Sequence, residues 1–548
     1  MSHPTAATRP VTVDPPVDVC IVGAGPSGAV TAKRLHEAGL RACVLERGDW
    51  PDRSNSRGGH DDFELRQDKD WQWNPNLRRS AADYPIDDAD SDVAALMWNG
   101  VGGSAVVYAS QWMRNAPSDF RVRSLDGVGD DWPMTYEDLV PFYEQVEADF
   151  GISGLDGDPA YPDARGYPMP PVPLGPGGRK VAEAMNGLGW HWWPGTNAIA
   201  TRPYRHLSPS VQRGDCMWGS ADNSKCTVDV THWPDLVAAG VQLRTRARAT
   251  RVMTDGDGAA SGVEYIARDG ALHAQPARAV ILCANGVGTP RLLLMSASAE
   301  HPDGLANSSG LVGRRLMMHP ASAVIGLFDE DLGTERGSWG QCLYSLEFYE
   351  SDPSRGFIRG AKWGLQPTGG PQRVTGAYPW TMTSIWGEDF HRQLRRRLGR
   401  SMLWVSCGED LPEESNRVEL DPNATDDDGL PAARLVYRTS ENSHRMLDWH
   451  NERMSEALRA AGATEIIIAP QIRESGWHLL GTAVMGTDAR RSVVDPWGQA
   501  HDVRGLHIFD GSIWPTSSGM NPTATIAALA LRCADHLAAR MTKGARDE

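Results

Sequence analysis

No stretch of the 548-residue chain holds 18 consecutive apolar residues, so no membrane-spanning helix is expected. Positive charge is in deficit. Lys and Arg number 54 against 70 Asp and Glu, a formal net charge of −16, which argues against nucleic acid or an anionic membrane surface as partner. Cysteines are only eight and none forms a CxxC pair, which points to a reducing compartment and away from a structural zinc. Cys20, Cys43 and Cys283 fall in apolar runs and read as buried thiols; a Cys216–Cys226 bridge stays open. No His/Cys/Asp set has metal-ligand spacing, so no metal is expected. A G-x-S-x-G elbow is missing, which removes the serine hydrolases of that type. The N-terminus lacks an apolar signal core and a twin-arginine pair; residues 1–11 read as a flexible leader and the cytoplasm as the location.

What is present starts at Val17. The apolar run Val17, Val19, Ile21, Val22 suits a buried parallel strand. Gly23, Gly25 and Gly28 then complete a G-x-G-x-x-G through Pro26 and Ser27. The first glycine permits the turn, the second lets backbone approach a pyrophosphate, and the third lets the following helix sit close to the strand. That helix, from about Pro26 to Ala38, points free N–H groups at phosphate. A second strand, Ala42–Leu45, ends in Glu46, whose carboxylate can hold both ribose hydroxyls and disfavours a 2′-phosphate. A dinucleotide site is therefore expected, FAD or NAD. No second G-x-G-x-x-G appears, as a two-dinucleotide reductase would need.

Asp49–Asp92, polar and containing Trp71 and Trp73, reads as a long surface excursion, a lid or an interface arm. Gly100, Gly102 and Gly103 put backbone close to something large and flat, or form a bare turn. Thr135–Asp138 has capping-box spacing ahead of an amphipathic helix to about Phe150. Residues 151–180 read as a Pro/Gly connector. A small meander runs through Val241–Thr245, Ala249–Thr254, Gly262–Ala267 and Ala279–Cys283, and Thr289 and Pro290 read as N-cap and N1 of the next helix. Residues 321–470 alternate strand-like runs with a helix over Ser440–Ala461, an antiparallel sheet with helices inserted into the first domain. Near the C-terminus come Trp477-His478-Leu-Leu-Gly481-Thr482, then Asp510-Gly511-Ser512, then Asn521-Pro522-Thr523 as N-cap and start of a helix to about Arg540.

The first strand–turn–helix, Gly102-Gly103-Ser104, Thr289-Pro290-Arg291 and the paired His478 and Asn521 together resemble the glucose–methanol–choline (GMC) family of FAD-dependent oxidoreductases. The HxxGT…NP form is nearest to pyranose oxidase, bacterial C-glycoside 3-oxidase and gluconate-dehydrogenase-like members. The resemblance implies an α/β fold, a Rossmann-type FAD-binding domain with an inserted antiparallel-sheet-plus-helices substrate domain. The FAD-binding part would comprise residues 12–120 (with the 49–92 excursion), 225–320 and 471–545, and the substrate part 121–224 and 321–470. It implies cofactor contacts at Gly23, Gly25, Pro26, Ser27, Gly28, Glu46, Arg47, Gly102, Gly103, Ser104, Asp510, Gly511, Pro522 and Thr523. Gly103–Tyr108 offers no His or Cys, so non-covalent FAD is expected.

The implied reaction oxidises an alcohol to a carbonyl, with hydride passing to flavin N5 and His478 as general base. Asn521 would hold the substrate oxygen. The helix after Pro522 would aim its positive end at the flavin N1–C2 edge. Asp510 is a turn former or a group near the ribityl–pyrophosphate, and the family frame favours the second. Twenty tryptophans lean the substrate toward a sugar, glycoside or polyol, since aromatic faces stack on sugar rings. A bulky hydrophobic alcohol (sterol, aromatic or long-chain) is the alternative, as is a non-redox lyase on the same scaffold. Oxygen or another acceptor would then take the electrons from the flavin.

Overall fold

Val17–Val22 forms the strand its composition predicts, in a computed structural model that describes residues 10–55, 71–162, 166–214, 216–217, 219–220, 222–338, 340–376 and 384–544. It pairs in parallel with Ala42–Leu45 on one side and Leu272–Leu282 on the other, and Gln242–Arg244 extends the sheet past Ala42–Leu45. Leu506–Ile508 runs parallel along the other side of Leu272–Leu282, so the chain returns to its first sheet near its end. The strand Leu272–Leu282 serves two arrangements. Its C-terminal half lies in the parallel sheet; its N-terminal half pairs antiparallel with Ala260–Ile266, which continues to Arg248–Thr254. The closing helix Thr523–Gly544 packs on Pro26–Glu37 and Tyr136–Phe150. Among the described residues no helix is long and apolar enough to cross a membrane.

The second sheet has six antiparallel strands in the order Glu465–Ala469, Ala321–Leu327, Ser401–Gly408, Ala361–Pro367, Leu343–Ser345, Trp193–Pro194. Helices Glu441–Ala460 and Gly175–Leu188 cover one face. The period of two decides what reaches the other face. Ala361, Trp363 and Leu365 pack toward the helices, as do Met402 and Trp404. Lys362, Gln366, Val405 and Cys407 face the opposite way, into a cavity shared with the first sheet.

Several expectations need correction. Residues 71–92 are only partly a surface excursion: Leu77 is 62% exposed, but Trp71 and Trp73 are 2% and 1% exposed, and Ile86–Ser91 is a strand. That strand pairs with Pro431–Tyr437, which with Arg417–Thr425 forms a separate three-stranded sheet rather than part of the six-stranded one. Residues 56–70 of the excursion and residues 1–9 of the leader lie outside the described residues. Part of the 151–180 connector is the start of the helix Gly175–Leu188; burial of Val181, Ala182 and Met185 overrides the poor propensity of Gly175, Pro176, Gly177 and Gly178. Cys216 and Cys226 are both free thiols.

Thr289 and Pro290 do not start their helix, which spans Asn285–Met295. Asn285, at φ +66°, takes the capping part, its Oδ1 accepting from Val287 N (2.9 Å) and Gly288 N (3.2 Å). Pro290 then lies inside and leaves the Gly286 carbonyl without its helical donor. Thr482 Oγ1 supplies one at 2.8 Å, tying the HxxGT segment to this helix.

A buried ion cluster joins the parts. Arg359, 1% exposed, donates to Asp119 Oδ1 (2.8 Å) and Glu409 Oε2 (2.7 Å), both carboxylates themselves buried. Burial and the nearby Glu409 hold the Asp119 carboxyl above its usual range. Replacing Arg359 by Met leaves two desolvated acids without their cation, and thermal unfolding should report a loss of about 3–5 kcal/mol. A melting temperature equal to wild type would contradict this assignment.

Candidate active site

One continuous cleft runs from the end of Ala42–Leu45 to the start of the closing helix. At one end Glu46 is buried, its Oε2 accepting from Ala24 N (2.8 Å) and its Oε1 from Gly48 N (2.9 Å). Burial raises its carboxyl above the ordinary range, opposed by those two backbone donors. Each oxygen keeps a free lone-pair direction for a sugar hydroxyl. Next comes the glycine turn. Gly23 sits at φ +107°, and a Cβ there would lie 2.3 Å from the Cys283 carbonyl oxygen. A Cβ on Gly28 would lie 2.0 Å from Gly23 O, so this glycine sets the approach of helix to strand. Gly103, at φ +57°, faces Gly25 across a gap that its own Cβ would close to 2.8 Å. Two bare backbones facing one another beside a helix N-terminus suit a pyrophosphate.

The other end is built from both sheets. His478 and Asn521 line it together with His319, Cys407, Lys362 and Gln111. The geometry assigns the protons. His319 Nε2 lies 3.0 Å from the Ser517 carbonyl, which can only accept, so Nε2 carries hydrogen. Burial pushes the His319 pKa down to about 4, so the ring is neutral and Nδ1 is an acceptor. His478 Nδ1, 2.8 Å away, is then the donor, and its Nε2 is left unprotonated. The Cys407 thiol, kept protonated by burial that pushes it up to about 12, lies 2.9 Å from His319 Nδ1 and 3.9 Å from His478 Nδ1, so it shares the one lone pair that His478 also meets. His478 is itself held well below its ordinary value, by burial first and then by His319 and the Lys362 ammonium. Lys362 Nζ donates to Asn521 Oδ1 at 2.8 Å.

The residues around this end are held from behind. Trp477 lines the cleft, and Trp73 backs it with ring centroids 5.1 Å apart. Gly286 admits the backbone of Leu479, which a Cβ would meet at 2.5 Å. Gly481, at φ +88°, makes the turn beside Arg315 O.

Of the expected site residues, His478, Asn521, Gly23, Gly25, Pro26, Ser27, Glu46, Arg47, Gly103, Ser104, Asp510, Gly511, Pro522 and Thr523 all line this cleft. Gly28 and Gly102 do not; Gly102 N donates to Ala24 O at 3.0 Å and braces the glycine turn. Arg47 is tied to Ala82 O (2.7 Å), Asp83 O (3.2 Å) and Asp426 (3.0 Å). Asp510 is a strut: Oδ2 accepts from Asn285 N (3.0 Å) and Thr289 Oγ1 (2.6 Å), and Oδ1 from Ser512 N (2.9 Å) and Oγ (2.6 Å). Sequence reasoning missed His319, Lys362 and Gln111. The one available signal was a lysine interrupting the apolar strand pattern Ala361–Leu365. The tryptophan count misled, since Trp73, Trp112, Trp132, Trp233, Trp363, Trp404 and Trp514 are core residues; among the described tryptophans only Trp98 and Trp477 line the cleft.

Family models described as GMC oxidoreductase match residues 17–321 and 412–530. The 2-methyl-1,2-propanediol dehydrogenase of Mycolicibacterium austroafricanum is 40% identical over 96% of this chain and 96% of its own length. The fructose dehydrogenase large subunit of Gluconobacter japonicus is 28% identical over 96% of this chain and 98% of its own. Among solved structures, pyridoxine 4-oxidase from Mesorbium loti superposes with a TM-score of 0.67 at 18% identity, covering 95% of this chain and 99% of that one.

The facing glycines give a test. Gly103→Ala should push its Cβ onto the Gly25 backbone and lower FAD affinity at least about tenfold, read as the flavin-to-protein absorbance ratio after dialysis. Full retention of flavin would contradict the assignment.

Proposed function

The chain belongs to the GMC oxidoreductase family and is an FAD-dependent alcohol oxidoreductase, and on that premise we propose that His478 and Asn521 act on the hydroxyl of a polyol, sugar or glycoside. The observation that carries this reading is the proton arrangement at His478. One ring nitrogen is tied to His319, and the other is free at the cleft beside Asn521. FAD, when bound, supplies the two-electron acceptor for the carbinol hydride. Gly23, Gly25, Pro26, Ser27 and Gly103 would hold its pyrophosphate and Glu46 its ribose, without a covalent link.

His478 Nε2 takes the hydroxyl proton as the carbinol carbon loses hydride, so the C–O bond becomes a carbonyl. Asn521 Nδ2 donates to the oxygen while negative charge builds on it. The Lys362 ammonium adds a fixed positive charge behind Asn521. The helix from Thr523 directs its positive end into the same region of the cleft, where reduction adds electrons. Residues 12–120, 225–320 and 471–545, which include the parallel sheet, would then serve the cofactor, and residues 121–224 and 321–470, which include the six-stranded sheet, would cover the substrate. Eight free thiols suit a reducing compartment, and the cytoplasm is the proposed location.

The substrate class draws support from relatives named for a small diol and for fructose. An anaerobic panel of polyols, sugars, glycosides and hydrophobic alcohols tests it by flavin bleaching, followed by admission of air to identify oxygen as acceptor. Bleaching by polyhydroxylated members is expected. Bleaching by hydrophobic alcohols alone would overturn the class, and a yellow protein that no alcohol bleaches would favour a lyase.

His478→Ala should keep FAD and slow anaerobic reduction by about 10²–10⁴-fold. In wild type, His478 is held below its ordinary value, so the base stays unprotonated as pH falls through 6.5. The reduction rate should stay flat there and decline only at lower pH; a loss of rate on acidification that is centred at or above 6.5 would contradict the arrangement.

A further inference from the structure

The six-stranded sheet buries a cation that no carboxylate meets. Lys362 is 1% exposed, and among the described residues no acid lies within ion-pair distance of it. Its Nζ instead donates to Gln111 Oε1 (2.6 Å), Asn521 Oδ1 (2.8 Å) and Gln341 Oε1 (3.0 Å). An ammonium has three N–H groups and no acceptor, so its capacity is filled. Desolvating it without a counter-ion is unfavourable, and burial pulls its pKa down to about 8. A hydrophobic residue would fill this strand position at lower cost, so the charge calls for another explanation.

That explanation lies in the amides. A group that only donates must meet oxygen, so Lys362 fixes which way each of the three amides is turned. Gln341 Nε2 is consumed by Met113 Sδ (3.1 Å) and Thr196 O (3.4 Å). Gln111 and Asn521 differ from it: both line the cleft with His478, and neither amide nitrogen has an acceptor among the described residues. Two NH2 groups, turned by one ammonium, are thus offered to whatever sits against the base.

We propose that Lys362 is a positioning residue that presents the Asn521 and Gln111 amide NH2 groups as a pair, and that this pair selects a vicinal diol. Asn521 meets the oxygen that is oxidised, and Gln111 meets the hydroxyl on the adjacent carbon. A mono-alcohol leaves the Gln111 donor desolvated and unpaired, the situation in which a polar site rejects an analogue lacking one hydroxyl. The proposal rests on the roles given above to His478 and Asn521, and adds to them the substrate feature the site reads and the residue that sets it.

The test uses holoenzyme and matched pairs that differ by one hydroxyl: 1,2-propanediol with 1-propanol, 2-methyl-1,2-propanediol with 2-methyl-1-propanol, and 1,2-cyclohexanediol with cyclohexanol. Anaerobic flavin reduction, as rate constant over dissociation constant, should favour the diol member by at least about 10²-fold. Gln111→Leu should bring the ratio to within about threefold of unity, a change of roughly 1.4 kcal/mol per tenfold. Lys362→Met should lower the same ratio, and the double variant should go no lower than the single ones, since both act on one donor. Lys362→Gln is the companion variant should the methionine fail to fold, with flavin content and melting temperature as checks; it should also lower the ratio. Equal use of both members by wild type, a preference that survives Gln111→Leu, or additive losses would each overturn the proposal. If the pairs are not distinguished while His478→Ala still slows reduction, the diol selection fails and the base assignment stands. If only hydrophobic alcohols bleach the flavin, the diol and the wider polyol class fail together.

Discussion

A peptide carbonyl can accept a hydrogen bond and never donate one, and the carbonyl of Ser517 imposes that direction on the whole reactive end of the cleft. It places hydrogen on His319 Nε2, and with burial keeping that ring neutral it leaves an acceptor at His319 Nδ1, hydrogen on His478 Nδ1 and a free lone pair on His478 Nε2. The constraint holds only if Ser517 stays in place, and the segment around it is pinned at successive residues. Trp132 Nε1 donates to Thr516 Oγ1 (2.8 Å), Ser517 Oγ to Asp410 O (2.9 Å), and Gly519 N to the Tyr349 hydroxyl (2.7 Å). Tyr349 in turn donates to Asp119, which Arg359 holds. The buried ion cluster is therefore linked to the His478–Asn521 end of the cleft through a short chain of hydrogen bonds, ending two residues before Asn521.

A second directional group faces the first. Lys362 arrives on a strand of the six-stranded sheet, where the period of two sends Trp363 into the helix-covered core and the lysine into the cleft. Ser517 orients the histidine pair and Lys362 orients the amides. The carbonyl can only accept and the ammonium can only donate, and both groups are buried. Positioning of this kind is what brings a reacting hydroxyl into register with base and acceptor. The chain returns to its first sheet at Leu506–Ile508, shortly before Asn521 and the closing helix, which line the cleft together with Lys362.

Much of the cofactor end was legible in the chain because it is local. A strand, a glycine turn and a helix lie within one stretch from Val17 to Glu37, and their spacing expresses their geometry. The Thr289-Pro290 pair misplaced a helix start because the true cap, Asn285, sits one turn earlier and the missing hydrogen bond of Pro290 is repaired from Thr482, far along the chain. Lys362, His319 and Gln111 were invisible for the same reason. Each is a single residue with no motif around it, and each gains meaning from a partner more than a hundred positions away. Tryptophan abundance pointed to a sugar-stacking surface, whereas most of the large buried side chains that fill the core are those tryptophans.

The chemistry proposed for His478 depends most on the protonation of its ring. Nitrogen-15 NMR of histidine-labelled holoenzyme at neutral pH, with the His478 signals assigned by comparison with His478→Ala, measures it directly. The structure requires a neutral His478 with hydrogen on Nδ1 and a bare Nε2. A His478 that carries hydrogen on Nε2, or on both nitrogens, would contradict it.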